Sequence, residues 1–171
     1  MSTFTLYASS APIFSKYLTS LKAWLDKAEA HAGAKKFETS VLCATRLAPD
    51  MLNLTGQIHL VTAFAKNAVC RLASKTAPDF QPLDASFDAY RARIDETLAI
   101  IGAIPADAFQ GAETREIIVQ LGPDRSMPMT GQDYLLNFVL PNFYFHATTA
   151  YAILRQNGVE LGKADFMGVP K

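Results

Sequence analysis

Three histidines, two cysteines and a polar stripe near the C-terminus are the side chains of this chain best suited to chemistry. Metal sites in helical proteins gather donors as pairs one turn apart on facing helices. The positions three and four residues from His146 hold Asn142, Phe143, Thr149 and Ala150, and those around His59 hold Thr55, Gly56, Thr62 and Ala63. None is a second imidazole, thiol or carboxylate. A metal centre would therefore require His59 and His146 to meet across helices with a further ligand such as Asp50. His31, among Lys27, Glu29 and Lys35, reads as a solvated helix-end residue. Cys43 and Cys70 stand alone without Cys-x-x-Cys spacing, which fits buried thiols in a reducing compartment. A Gly-rich phosphate loop and a Gly-x-Ser-x-Gly elbow are both missing.

The polar stripe carries more. Asn142, His146 and Thr149 recur at helical steps and share one face, while Tyr144, Thr148, Tyr151 and Arg155 share the adjacent one. A buried polar group without a partner costs about 1–3 kcal/mol, so these side chains must be paired or line a wet cleft. A cleft would hold a small polar or aromatic molecule, with Asn142, His146, Thr149, Tyr144, Tyr151 and His59 as the ligand-binding candidates and no metal or cofactor. The same stripe would equally serve as a hydrogen-bonded core beside an aromatic face for homodimerisation or partner docking. An altered metalloenzyme using His146, His59 and Asp50 ranks behind both. No residue is assigned a catalytic role, and whether the protein is an enzyme is left open.

These side chains need helices to position them. Phe14, Leu18, Leu21, Leu25 and Ala28 recur at three- and four-residue steps, predicting a helix from Ala11 to His31, with Pro12 in its first turn and Gly33 at its end. A short turn of helix is expected over Thr39–Thr45. A second long helix is expected from Pro49, with Met51, Leu54, Ile58, Val61, Ala65, Ala68 and Leu72 facing the core. Gly56 inside it weakens a helix by about 1 kcal/mol relative to alanine, for which a close helix crossing or an approaching ligand would be the reason. Phe87, Tyr90, Ile94, Leu98 and Ile101 make a third stripe, stopped by Gly102 and Pro105. Asp88, Arg91 and Asp95 opposite it read as surface pairs.

The period then changes. Arg115–Leu121 is short and β-branched, followed by Gly122-Pro123-Asp124, and reads as a small β-hairpin with Pro128 on an edge strand. From Thr130 to Gly158 runs a helix apolar on nearly every side, expected to be buried and to bend at Pro141. Leu161, Phe166 and Met167 would pin the tail back onto the bundle. The fold class is all-α: an antiparallel four-helix bundle with a small β-hairpin before the last helix, forming a single domain over 1–171.

Sixteen basic and sixteen acidic residues cancel, and the sole basic run is Lys35-Lys36, which argues against a nucleic-acid partner. No apolar run approaches the roughly 20 residues of a membrane span, and the N-terminus lacks a signal pattern, so a cytoplasmic location is expected.

Three segments carry a family resemblance: RLAPDMLNLTGQI (Arg46–Ile58), GQDYLLNFVLPNFYFH (Gly131–His146) and NFYFHATTAYAILRQNGVELGKADFMG (Asn142–Gly168). Together they resemble a branch of the DinB/YfiT-like superfamily described as a domain of unknown function, over almost the whole chain. The resemblance implies the DinB/YfiT-like four-helix bundle and a homodimer. Many members of the wider superfamily bind a divalent metal through three histidines, one on the second helix and two on the last, and some are thiol-dependent S-transferases or isomerases. Their last helix typically reads Asn-His-x-x-His-His, where this chain has Asn142, Phe143, Tyr144, Phe145, His146 and Ala147. Only His146 keeps a histidine. The resemblance thus implies a degenerate metal site, with a divalent-metal-dependent enzyme of the thiol S-transferase type as the alternative.

Overall fold

The computed structural model describes residues 4–169, and in it the four hydrophobic stripes become four long helices packed as a bundle. In chain order the elements are α1 (Ala11–Lys35), α2 (Thr39–Ala44), α3 (Leu54–Leu72), α4 (Phe87–Gly102) and a 3-10 turn (Ala106–Phe109). The hairpin β1 (Glu116–Gly122) and β2 (Arg125–Thr130) follows, then α5 (Gly131–Asp133), a π-helical segment (Tyr134–Val139), α6 (Leu140–Gln156) and α7 (Lys163–Met167). Helix α1 lies against α4 and α6, and α3 lies against the same two. Phe14, Leu18, Leu21, Trp24 and Leu25 of α1 meet Leu54, Ile58, Val61 and Ala65 of α3 and Phe143, Ala150 and Ile153 of α6 in one buried cluster. Each large side chain so enclosed stabilises the fold by roughly 1.5–3 kcal/mol relative to exposure.

Helix ends depart from the sequence reading for local reasons. α1 runs through Gly33 and stops at Lys36, which takes the left-handed conformation (φ 58°), while the Phe37 N–H bonds the Ala32 carbonyl at 3.1 Å. The Phe37 ring packs edge-on against His31, anchoring that turn two residues past the expected stop. α3 begins at Leu54, not Pro49. Asn53 caps it by accepting from the Gly56 N–H at 3.0 Å, and the preceding residues loop back so that Leu54 N–H bonds the Thr45 carbonyl. Gly56 answers to this loop: a Cβ there would stand 2.9 Å from Leu52 Cβ. On α4, Arg91 pairs with Asp88 and also crosses to Asp26 and Glu29 of α1, and Asp95 takes Lys22 of α1 as its partner.

The hairpin is antiparallel with Ile118 opposite Pro128, and a two-stranded ribbon, being all edge, tolerates that proline. Ile117 and Val119 point inward, whereas Ile118 is exposed. The hairpin delivers the chain to Gly131, whose N–H bonds the Arg115 carbonyl at 2.8 Å. Thr130 caps the last helix by accepting from the Asp133 N–H at 3.2 Å.

Pro141 cannot donate to the Asn137 carbonyl, and the helix answers by widening. Ahead of it the chain is π-helical, with the Leu140 N–H reaching the Leu135 carbonyl five residues back. Asn142 adds a side-chain bond from Nδ2 to the Phe138 carbonyl at 2.7 Å. The expected burial on nearly every side does not hold: Leu136 and Phe145 are 43% and 55% exposed. After Gly158 (φ +88°) the tail folds back, burying Val159 and Leu161 and stacking Phe166 on Trp24, while Met167 stays in solvent. Among the described residues no helix is long and apolar enough to cross a membrane.

Candidate functional site

His146 faces α3, where Gln57 meets it. Gln57 is 1% exposed and lies one helical step from Ile58 in the core stripe, so its amide must find partners inside the protein. Its Nε2 donates to the Leu52 carbonyl at 3.0 Å, which turns Oε1 toward the imidazole. Oε1 lies 2.8 Å from His146 Nδ1. An amide oxygen only accepts, so Nδ1 carries the proton and, in the neutral ring, Nε2 is left as an acceptor. Burial holds the imidazole below its ordinary value, which keeps it neutral at physiological pH. Among the described residues the one enclosed side-chain nitrogen or oxygen without a hydrogen bond is Arg93 Nη1. Among the described residues His146 Nε2 has no hydrogen-bond partner, and since it is not one of the fully enclosed atoms it touches solvent at the surface of a side chain 8% exposed.

Aromatic rings hold this imidazole in place. Phe64, two turns beyond Gln57 on α3, stacks on it with centroids 5.7 Å apart and planes 16° from parallel. Phe145 meets its edge at 5.2 Å, and Phe138 packs against Phe64. The arrangement is a neutral base in an apolar surround, fixed on two rigid helices.

The sequence-derived residues divide among three places. Asn142 and Thr149 share the His146 face, but Thr149 Oγ1 donates to the Phe145 carbonyl at 2.7 Å and the Asn142 amide to Phe138, so both serve their own helix. Tyr144 packs edge-on against Tyr17 and Phe143, and Tyr151 against Trp24 and Phe166, on the side of α6 that meets α1 and the tail. These two tyrosines do not join His146. His59 turns away from Gln57 into a separate cleft lined by Leu52, Thr55, Gly56, Leu60, Pro82 and Leu83. Gln57 and Phe64 complete the His146 site and were missed; a lone amide inside an apolar stripe was the signal that pointed to it.

A resident divalent metal does not fit these residues. Gln57 occupies Nδ1, and the neighbouring helix positions are filled by Phe143 and Ala147, both buried. Among the described residues no three His, Cys, Asp or Glu side chains come together to hold an ion, so His146, His59 and Asp50 form no such group. Nucleophilic chemistry also finds little footing. Cys43 and Cys70 are free and buried, with burial pushing both thiols up. Burial and the hydrogen bond that its hydroxyl donates to the Cys43 sulfur push the Tyr90 pKa up, and that hydroxyl lies 2.6 Å from Thr55 Oγ1. This is a closed polar knot.

A family model described as a domain of unknown function (DUF1993) matches residues 6–167. A crystal structure of a DinB family member protein from Shewanella denitrificans is similar to this chain with a TM-score of 0.90 and 38% sequence identity. The likeness covers 96% of this chain and 93% of that one. No curated protein matches the sequence.

Proposed function

The chain belongs to the DUF1993 family, a DinB-like helical bundle, and on that premise we propose that it binds a small molecule, without a metal, at the outward nitrogen of His146. The observation that carries this reading is the Gln57–His146 contact, which presets the tautomer and leaves Nε2 free to accept. A ligand presenting an N–H or O–H beside a flat apolar body matches a neutral imidazole flanked by Phe64 and Phe145.

The test uses phenol and indole as probes, followed by the ring resonances of the three histidines. Saturable shifts confined to His146 are expected, and the heat of phenol binding should be lost in His146→Gln. Shifts spread equally over His31, His59 and His146, or no shift at all, would sink the reading.

A second reading is a homodimer built on the last helix, favoured by the exposure of Leu136 and Phe145, large apolar side chains that a dimer would cover. Sedimentation of the native chain beside Phe145→Glu decides it. A monomer in both cases removes the dimer.

A further inference from the structure

Two cations lie buried between α3 and α4, away from His146. Lys66 and Arg93 are 5% and 6% exposed. Lys66 Nζ donates to the Pro78 carbonyl, and Arg93 Nη2 donates to the Gln81 carbonyl at 2.7 Å. The Phe80 ring takes both charges, with Lys66 Nζ 3.9 Å and Arg93 Cζ 4.0 Å from its centroid. The segment joining α3 to α4 is thus a strap held down by two cations. Arg93 Nε pairs with the half-exposed Glu96 at 3.3 Å, but Nη1 is enclosed and finds no acceptor among the described residues. A buried guanidinium N–H in that state costs more than an ordinary lost hydrogen bond, and it leaves the Arg93 charge only partly compensated.

Beside the strap opens a cleft of about 350 Å³, walled by Leu52, Gly56, Leu60, Pro82 and Leu83, with His59 in its lining. Burial holds His59 below its ordinary value, and the Arg93 and Lys66 charges hold it lower still, so positive potential reaches the cleft. Asp79, Glu96 and the Cys70 thiol act on Lys66 from the same neighbourhood, and none of them bonds Nη1. The walls are apolar, and the buried cations act on the cleft through His59. A bare inorganic anion would use the charge and waste the walls, whereas the volume exceeds the roughly 150 Å³ that can hold a benzene ring.

We propose that this cleft binds a small apolar monocarboxylate, its body against Leu52, Leu60 and Leu83 and its carboxylate beside His59, in the positive field of the buried Arg93 and Lys66.

The experiment titrates the intact chain with benzoate and hexanoate and reads the ring resonances of His59. Both acids should shift His59 saturably and raise its pKa while leaving His146 unmoved, and benzamide and hexanamide should do neither. Leu83→Asp, which sets a like charge at the cleft wall, should weaken benzoate by about tenfold or more while leaving the His146 resonances in place. Arg93→Gln, where it folds, should weaken benzoate likewise. An equal response to benzamide, a matching response to inorganic phosphate, no His59 shift, or undiminished binding by Leu83→Asp would each overturn the proposal.

Discussion

Gln57 Oε1 and His146 Nδ1 lie 2.8 Å apart across 89 residues of sequence, and this one contact sets which imidazole nitrogen faces outward. The Leu52 carbonyl orients the amide, the amide orients the ring, and Phe64 stacks it flat. The geometry makes His146 a hydrogen-bond acceptor at neutral pH.

Gln57→Glu replaces the amide oxygen with a carboxylate and should raise the His146 pKa by favouring the charged ring. Gln57→Leu strands the buried Nδ1–H and should cost about 1–3 kcal/mol of stability. Carbon–proton spectra of the ring against pH report the first, and urea unfolding the second. If His146 in Gln57→Glu titrates no higher than in the native chain, the tautomer argument fails.

Acid should destabilise the protein in a defined window. Burial holds both His146 and His59 below 6.5 in the folded state, while in the unfolded chain they take that ordinary value. Below it the unfolded chain binds more protons than the native one, so stability falls as pH falls. The contribution is fully present above pH 6.5 and is lost as pH drops through the lower folded values. Urea midpoints measured from about pH 7.5 down to about pH 5 should decline, and the double variant His59→Asn, His146→Gln should flatten the decline. An unchanged slope in that variant would place the acid sensitivity elsewhere.

Two glycines should respond oppositely to alanine. A Cβ at Gly131 would stand 1.9 Å from the Ala112 carbonyl oxygen, where the last helix docks beside the hairpin, so backbone must move. Gly131→Ala should cost on the order of 3 kcal/mol. Gly33 lies inside α1 with nothing within 4 Å of the same atom, so Gly33→Ala should stabilise by about 0.5–1 kcal/mol. Thermal melts of both variants check the pair, and a mild Gly131→Ala would show that the docking is loose.

The bundle was legible because its stripes are long. Phe14, Leu18, Leu21 and Leu25 repeat through several turns, and the period survives any error at the ends. Ends were harder: the true cap of α3 is Asn53, but Pro49 looked like a start, since a proline suits a first turn as well as a loop. Pro141 announced a disturbance without its form, because a missing N–H is relieved equally by a bend or by a π segment. The site was half legible. Asn142, His146 and Thr149 do follow one another along one face of α6, yet sequence cannot distinguish a hydroxyl turned to its own Phe145 carbonyl from one turned into a cleft. Tyr144 and Tyr151 were grouped with His146 by neighbourhood along the helix, whereas their rings follow Tyr17 and Trp24 of α1.

The tail should prove structural. Trp24 is fully buried, yet its indole N–H donates to the Asp165 carbonyl at 3.0 Å and its ring stacks on Phe166 with centroids 5.6 Å apart. Lys27 reaches the Asp165 carboxylate at 2.6 Å from the same helix, but that partly exposed pair adds little beside the rings. Removing the half-buried Phe166 side chain takes a lid off the indole and opens the Tyr151 edge to water. Phe166→Ala should therefore cost about 2 kcal/mol. Because the protein has one tryptophan, the same variant should shift the fluorescence to the red before any unfolding. A blue emission with unchanged melting would mean that the indole is covered by the bundle alone and that Phe166 adds nothing to the fold.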